Sequence, residues 1–338
     1  MIRIQENYSL KSLNTFAVEA SARWYTEINS EEDLRELFSN EKWNSTERLI
    51  LGGGSNILFT RNFEGLIVRI NIPGLQKEVI NEDVFVTSGA GVLWNDLVNY
   101  CVDNELAGVE NLSLIPGSVG ASPIQNIGAY GVELKDVFYC CRAMEISTGN
   151  FRLFSKEECR FNYRDSIFKG PLKGKYIITS VTFKLSFNFQ PKLSYGDINT
   201  ELHKRGISNP GIKDISNVVS YIRVHKLPDP YIIGNAGSFF KNPIIPVSNF
   251  IQLQSVFPDV VHYKIGQGMI KLAAGWLIDQ CGFKGRVVGN TGTWKNQALV
   301  LVNHGNATGK EILDLSDSII SEVKKRFGIV LEREVNII

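Results

Sequence analysis

Short apolar runs alternate with glycine-rich breaks along this chain, and few stretches hold a helical stripe for more than two turns. Within Glu27–Phe38, Leu34, Leu37 and Phe38 share one helix face, Ser30 stands where an N-cap belongs, and Asp33 follows three residues on. Val92–Asn104 repeats Leu93, Leu97, Val98 and Cys101 at the same period, and Ile215–His225 also reads as helical. Gly266–Gln280 predicts a helix with Met269, Leu272, Ala273, Trp276 and Leu277 on one side and Gly282 just past its end. Thr308–Phe327 predicts another. Thr308 and Glu311 form a capping box, Ile312, Leu315, Ile319 and Val323 the stripe, and Lys324, Lys325 and Arg326 sit where the helix dipole favours cations. Arg48–Leu51, Ile57–Phe59, Val84–Thr87, Arg142–Ile146, Tyr176–Leu185 and Ile329–Ile338 read as strands. Helices and strands do not alternate strictly, which predicts an α+β fold.

With 338 residues the chain is expected to form two or three domains. A shift to polar residues, prolines and turn dipeptides near 190–210 marks a boundary. Lys and Arg number 36 against 35 Asp and Glu, so no basic field attracts nucleic acid, and no apolar run reaches the ~18 residues of a membrane span. The polar start over Met1–Tyr8 is unlike a secretory signal. Five cysteines, an odd count without any C-x-x-C spacing, predict reduced thiols in a cytoplasmic protein. Four scattered histidines lack metal-ligand spacing.

Two glycine-rich loops carry the candidate chemistry. Gly52, Gly53 and Gly54 leave backbone N–H groups open to an anion, and Ser55 and Asn56 add a hydroxyl and an amide. The second stretch runs from Ile115 to Gly131 and contains Pro116, Gly117, Ala121, Ser122, Ile124, Ile127 and Gly128. Two such loops suit a long ligand whose phosphates lie on backbone, and a flavin dinucleotide fits better than a small metabolite. Gly89-Ala90-Gly91 lies between a strand and a helix, but Trp94 stands where a third Rossmann glycine belongs, so it reads as an ordinary tight turn. Ser238 reads as a turn hydroxyl, Arg164 as a solvated surface residue, and Glu332 and Glu334 as the solvent side of a strand. Lys226 precedes Leu227-Pro228-Asp229-Pro230, a rigid turn able to aim it at a phosphate.

Taken in order, several blocks resemble the UDP-N-acetylenolpyruvoylglucosamine reductase family. They are Leu13–Phe16, Gly52–Asn56, Ile115–Gly131, Tyr163–Ser166, Gly234–Pro243, Ala274–Gly285, Gln297–Asn303 and Leu331–Val335, and they span almost the whole chain. Leu193–Asp197 resembles the long-form branch, in which a tyrosine loop covers the substrate. The resemblance implies an FAD-binding fold of the vanillyl-alcohol-oxidase kind (PCMH-like) in two subdomains, 1–70 joined by the strand 329–338 and 71–205, plus a C-terminal α+β substrate-binding domain, 206–328. It implies a cytoplasmic enzyme of peptidoglycan precursor synthesis, expected as a monomer. NADPH reduces a non-covalent FAD and leaves, and UDP-N-acetylglucosamine enolpyruvate then enters and is reduced to UDP-N-acetylmuramate. No histidine or cysteine lies inside either glycine loop, which argues against the covalently tethered flavin of many sugar oxidases.

Carried over residue by residue, the resemblance gives Arg164 the substrate carboxylate and makes Ser238 the proton donor. Glu334 faces the same carboxylate, which asks for a raised pKa. A free hydroxyl is a weak acid, so Lys241 or Asn242 is expected to assist Ser238. Tyr130, Tyr195, Lys226, Asn242 and Gln297 become contacts to the UDP-sugar. The chain departs from the pattern at Asn336, where relatives often carry a basic residue, and at Trp294, where histidine is common.

Overall fold

The computed structural model describes residues 2–194 and 197–338. The chain forms two compact units. One comprises Met1–Tyr8, Ala22–Gly54 and Glu64–Arg223, the other Ser9–Ser21, Ser55–Phe63 and Val224–Ile338.

The first unit holds two sheets. One is four-stranded in the order Gln5–Ser9, Ser21–Ile28, Phe63–Ile70, Arg48–Leu51, the last two strands running parallel. The other is antiparallel, in the order Phe151–Ser155, Phe138–Glu145, Tyr176–Leu185, Asp83–Gly89, Leu75–Ile80. Ile28, Leu34, Leu37 and Val68 share one buried cluster with Met144, Ile146 and Ile177. The sheets therefore share a core, and residue 70 lies inside one compact unit. Ser30 caps the Glu31–Phe38 helix with a complete capping box, as the sequence predicts. The helix Trp94–Asp103 buries Trp94, Leu97, Val98 and Cys101 against Val181 and Phe183 of the antiparallel sheet. The helices Ile198–Lys204 and Ile212–Lys226 form a third cluster through Ile198, Leu202, Ile215, Val219 and Ile222, and Tyr130 packs on it.

In the second unit a sheet runs Gly234–Ser238, Gln297–Asn303, Thr291–Trp294, Val287–Val288, antiparallel throughout. The Leu13–Phe16 block is a structural clasp on it. Asn14 Nδ2 bonds the carbonyls of Leu10 and Val18 at 2.8 and 3.1 Å, and Asn303 Nδ2 bonds the Phe16 carbonyl at 2.9 Å. The Gly309–Phe327 helix carries the predicted Thr308 capping box and ends on left-handed Gly328, φ 69°.

Two expected elements differ. Gly266–Gln280 is a strand, Met269–Leu272, followed by a short helix, Ala274–Gln280. Gly266, Gln267 and Gly268 all have positive φ and turn the chain into a hairpin, so Met269–Leu272 pairs with strands on both sides. Ile270 and Leu272 then point inward with period two, and tertiary pairing overrides the helical stripe. Of Ile329–Ile338, Asn336–Ile337 forms a ladder, parallel to Ile57–Leu58, while Arg333 makes an isolated bridge to Phe240.

Candidate functional site

Within the first unit the two glycine loops pack directly on each other. A Cβ on Gly52 would fall inside Ser118 Oγ, and one on Gly53 would lie 2.8 Å from Gly117 Cα. A Cβ on Gly120 would lie 2.5 Å from that of Ala90, and one on Gly91 would overlap the Asn71 backbone. Glycine is thus required by the approach of four backbone segments, a stronger reason than flexibility. The N–H groups of Gly53, Gly117 and Ser118 have no acceptor among the described residues. Unspent backbone donors on packed glycine loops without bulky side chains are the chemistry of a phosphate cradle, so these residues fit a dinucleotide. Ser122 spends its hydroxyl proton and its N–H on the Val119 carbonyl at 2.6 and 3.0 Å, and its own carbonyl accepts from the Ile127 N–H, so its part is to shape the loop. Gly89-Ala90-Gly91, read from sequence as an ordinary turn, belongs to this packing.

Arg164 sits in the same unit, in a tight turn closed by the Asn162 and Asp165 backbones at 3.0 and 3.2 Å. Its φ of 52° is left-handed, a conformation non-glycine residues rarely hold without compensation. The compensation comes from the second glycine stretch. Arg164 Nη2 donates to the Gly128 carbonyl at 2.6 Å, and Ser166 Oγ donates to the Ile124 carbonyl at 2.7 Å. Asn126 Nδ2 donates to the Asn162 carbonyl at 2.9 Å. A Cβ on Gly128 would approach Arg164 Nη1 to 3.1 Å, so small size at 128 admits the guanidinium. Tyr130, also left-handed at φ 49°, is held by Asn111 Nδ2 on its carbonyl at 2.9 Å. Tyr195 lies outside the described residues.

Ser238 stands exposed at the end of its strand, after left-handed Gly237 (φ 67°). Neither of its expected helpers bonds its hydroxyl. Lys241 Nζ forms an ion pair with Glu332, and Asn242 Oδ1 accepts the Ala274 N–H at 3.0 Å. The second bond fixes the Asn242 amide. Its oxygen is spent on a helix terminus, so only its NH2 group remains to meet a ligand. Gln297 repeats the device, with Oε1 accepting the Leu299 N–H at 3.2 Å. Both amides therefore present donors.

Glu332 and Glu334 also separate in role. Glu332 is exposed and paired to Lys241, whereas Glu334 is half-buried and its N–H donates to the Phe239 carbonyl at 2.8 Å. Asn56 Nδ2 donates to the Glu334 carbonyl at 3.2 Å, and Asn336 Nδ2 donates to the Asn56 carbonyl at 2.9 Å. The departure at Asn336 is thus a fastener between the end of the first glycine loop and the segment bearing Glu334. Lys226 is the exposed last residue of its helix. Trp294, the other departure, pairs with Gln297 in a hairpin, and its buried indole Nε1 has no hydrogen-bond partner among the described residues.

Residues 229–338 match the family described as UDP-N-acetylenolpyruvoylglucosamine reductase, C-terminal domain, and residues 23–153 match a family described as FAD binding domain. The UDP-N-acetylenolpyruvoylglucosamine reductase of Flavobacterium johnsoniae is 49% identical over 341 residues, covering 100% of both chains. That of Pseudomonas aeruginosa is 44% identical over 99% of each. Among solved structures, UDP-N-acetylenolpyruvylglucosamine reductase from Thermus caldophilus aligns over 100% of this chain and 99% of its own, with a TM-score of 0.68 and 23% identity. That last likeness bears on the fold alone.

Proposed function

This chain belongs to the UDP-N-acetylenolpyruvoylglucosamine reductase family, and from that premise we propose how its own residues divide the work. It is an FAD-dependent oxidoreductase that uses NADPH to reduce UDP-N-acetylglucosamine enolpyruvate to UDP-N-acetylmuramate in peptidoglycan precursor synthesis. FAD, when bound, supplies a hydride acceptor for NADPH and a hydride donor for the enol ether. The backbone N–H groups of Gly53, Gly117 and Ser118 hold its phosphates. Gly52, Gly54, Ser55, Asn56, Pro116, Ala121, Ser122, Ile124, Ile127 and Gly128 shape the rest of its seat.

Reduction of the vinyl group places negative charge on the substrate carboxylate and the adjoining carbon. Arg164 holds that carboxylate as a fork, and its tie to Gly128 fixes the fork before substrate arrives. Ser238 gives its proton to the carbon, and Glu334 faces the carboxylate. Lys226 carries the positive charge for the diphosphate. Asn242 and Gln297 donate to phosphate or sugar oxygens, and Tyr130 and Tyr195 contact the UDP-sugar. The fixed polarity of the Asn242 and Gln297 amides carries this assignment, because a nucleotide sugar is rich in acceptors. The division into 1–70 with 329–338, 71–205 and 206–328 is proposed as a partition of tasks and not of folding units, since the sheets on either side of residue 70 share one core. No helix among the described residues is long and apolar enough to cross a membrane, and a cytoplasmic monomer remains part of the proposal.

The test is anaerobic and done in halves. The purified protein is expected to be yellow, to bleach with NADPH, and to recover colour with the enolpyruvyl sugar nucleotide. A bleached flavin that this substrate leaves reduced would refute the reading.

A further inference from the structure

Arg223 opens the last turn of the Ile212–Lys226 helix, three residues before Lys226. It follows Ile222, which is buried in the cluster that also receives Tyr130. Its Nε is sealed from solvent without an acceptor, and among the described residues no carboxylate, carbonyl or hydroxyl bonds any part of its side chain. Arg48 and Arg164 of this unit also carry a buried nitrogen without a hydrogen-bond partner among the described residues, whereas several of its other arginines pair with carboxylates. Arg142 is paired with Glu31, Arg205 with Glu201 and Arg152 with Glu158. Enclosure pushes the Arg223 pKa below its ordinary value, and the nearby Tyr130 oxygen partly offsets this. A guanidinium nevertheless stays charged at neutral pH. A half-buried guanidinium whose Nε has no acceptor and whose terminal nitrogens are not sealed leaves a place for an anion.

We propose that Arg223 is an anion-holding residue of this enzyme, its guanidinium taking a phosphate oxygen of the bound nucleotide beside Tyr130. The inference rests on the reductase reading, in which both ligands are nucleotides with a diphosphate. NADP⁺ departs before the sugar nucleotide enters, so one guanidinium can serve each in turn. Arg223 and Lys226 then form a basic pair on one helix, a planar fork followed one turn later by a point charge. No sequence motif marks Arg223. The signal is the missing partner, which only the fold reveals.

The experiment titrates oxidised, flavin-loaded enzyme with UDP and, separately, with NADP⁺, following calorimetric heat and the flavin spectrum. Arg223→Met keeps the apolar stem of the side chain and removes the fork. It is expected to weaken binding ~10- to 100-fold, the worth of a charge-assisted hydrogen bond, with little change in melting temperature. Arg223→Lys should recover part of the loss. Weakening with UDP alone assigns the site to the sugar nucleotide, with NADP⁺ alone to the dinucleotide, and with both to a shared phosphate position. Unchanged affinity for both ligands in Arg223→Met overturns the proposal. So does a fall in melting temperature and flavin content in both variants while the folded fraction binds like wild type, since that is a structural arginine. Wild-type enzyme that binds neither ligand would instead sink the reductase reading beneath it.

Discussion

The glycine loops of the first unit and the polar side chains of the second meet the same demand, fixed hydrogen-bond donors, by opposite means. In the first unit the donors are main chain, and side chains are excluded because four backbone segments touch. In the second unit the donors are the amides of Asn242 and Gln297, and the main chain acts on them by occupying their oxygens. A backbone cradle tolerates no added atoms but is indifferent to most side-chain chemistry. An amide held by a backbone N–H tolerates shape changes but depends on a single atom. The two regions should therefore fail in different ways when altered.

The largest contrast is expected at Ser238. Its hydroxyl is exposed and has no hydrogen bond among the described residues, so Ser238→Ala removes nothing the fold uses. Flavin reduction by NADPH should stay near wild type, while re-oxidation by the enolpyruvyl substrate slows at least ~10²-fold, the lower end for a lost general acid. Rapid-mixing absorbance on each half separates the two. Equal slowing of both halves would remove Ser238 from its role.

Next in size is the cradle. Gly53→Ala sets a methyl against Gly117 Cα at 2.8 Å, and backbone cannot swing aside as a side chain can. Overpacking of this kind costs about 1–3 kcal/mol, which is about 5- to 150-fold in flavin affinity if the loops part to relieve it. The variant should purify pale and regain colour with excess FAD. Gly52→Ala is the control that sharpens the comparison, because its clash is with the Ser118 hydroxyl, a movable group. It should retain more flavin than Gly53→Ala, and the reverse order would contradict the packing argument.

These differences also explain what could be read from the chain beforehand. The glycine loops were visible because steric exclusion leaves glycine at fixed places, and Trp94 was enough to reject the Rossmann alternative. The Ser30 and Thr308 caps were legible for the same reason, each being decided within four residues. Ser238, Arg164 and Glu334 look ordinary by local chemistry and acquire roles only through the family resemblance. The strand Met269–Leu272 was masked by a helical period that runs through it, although its hairpin partner His262–Lys264 is only four residues away; its other partner, Ile244–Pro246, is distant in the sequence. The help expected for Ser238 from Lys241 also failed, since Glu332, adjacent only after folding, takes that lysine.

A smaller effect tests the amide mechanism in the second unit. Asn242→Asp keeps an oxygen for the Ala274 N–H, so the helix terminus and the melting temperature should be preserved. It replaces the outward NH2 with a second oxygen, which repels a phosphate. The KM for the sugar nucleotide should rise ~10-fold or more, with reduction by NADPH little affected. Asn242→Ala loses both functions, and a further drop in stability of ~1 kcal/mol should accompany it. If Asn242→Asp bound the substrate as wild type does, the amide would be a cap and nothing more.

The smallest effect lies away from the ligands, where the first unit's two sheets are joined. Glu31, in the first turn of its helix, receives Arg142 Nε at 2.8 Å and Nη2 at 3.2 Å, and Thr179 Oγ1 at 2.7 Å. Partial burial works to raise its pKa, but the hydrogen bonds from Arg142 and Thr179 outweigh it and hold the carboxyl below its ordinary value. A folded-state pKa below the unfolded one means the native state binds the proton less readily. The stabilisation is therefore complete above the unfolded-state pKa, about 4.3, and is lost as pH falls through the lower folded-state value. Glu31→Gln should cost only about 1 kcal/mol near neutrality, because the pair is partly solvated. At a pH below both values that cost should shrink, since wild type is then protonated too. Denaturant melts of both proteins across the acid range would read the difference. A gap that widened with acid would mean that this carboxylate does not fasten the sheets.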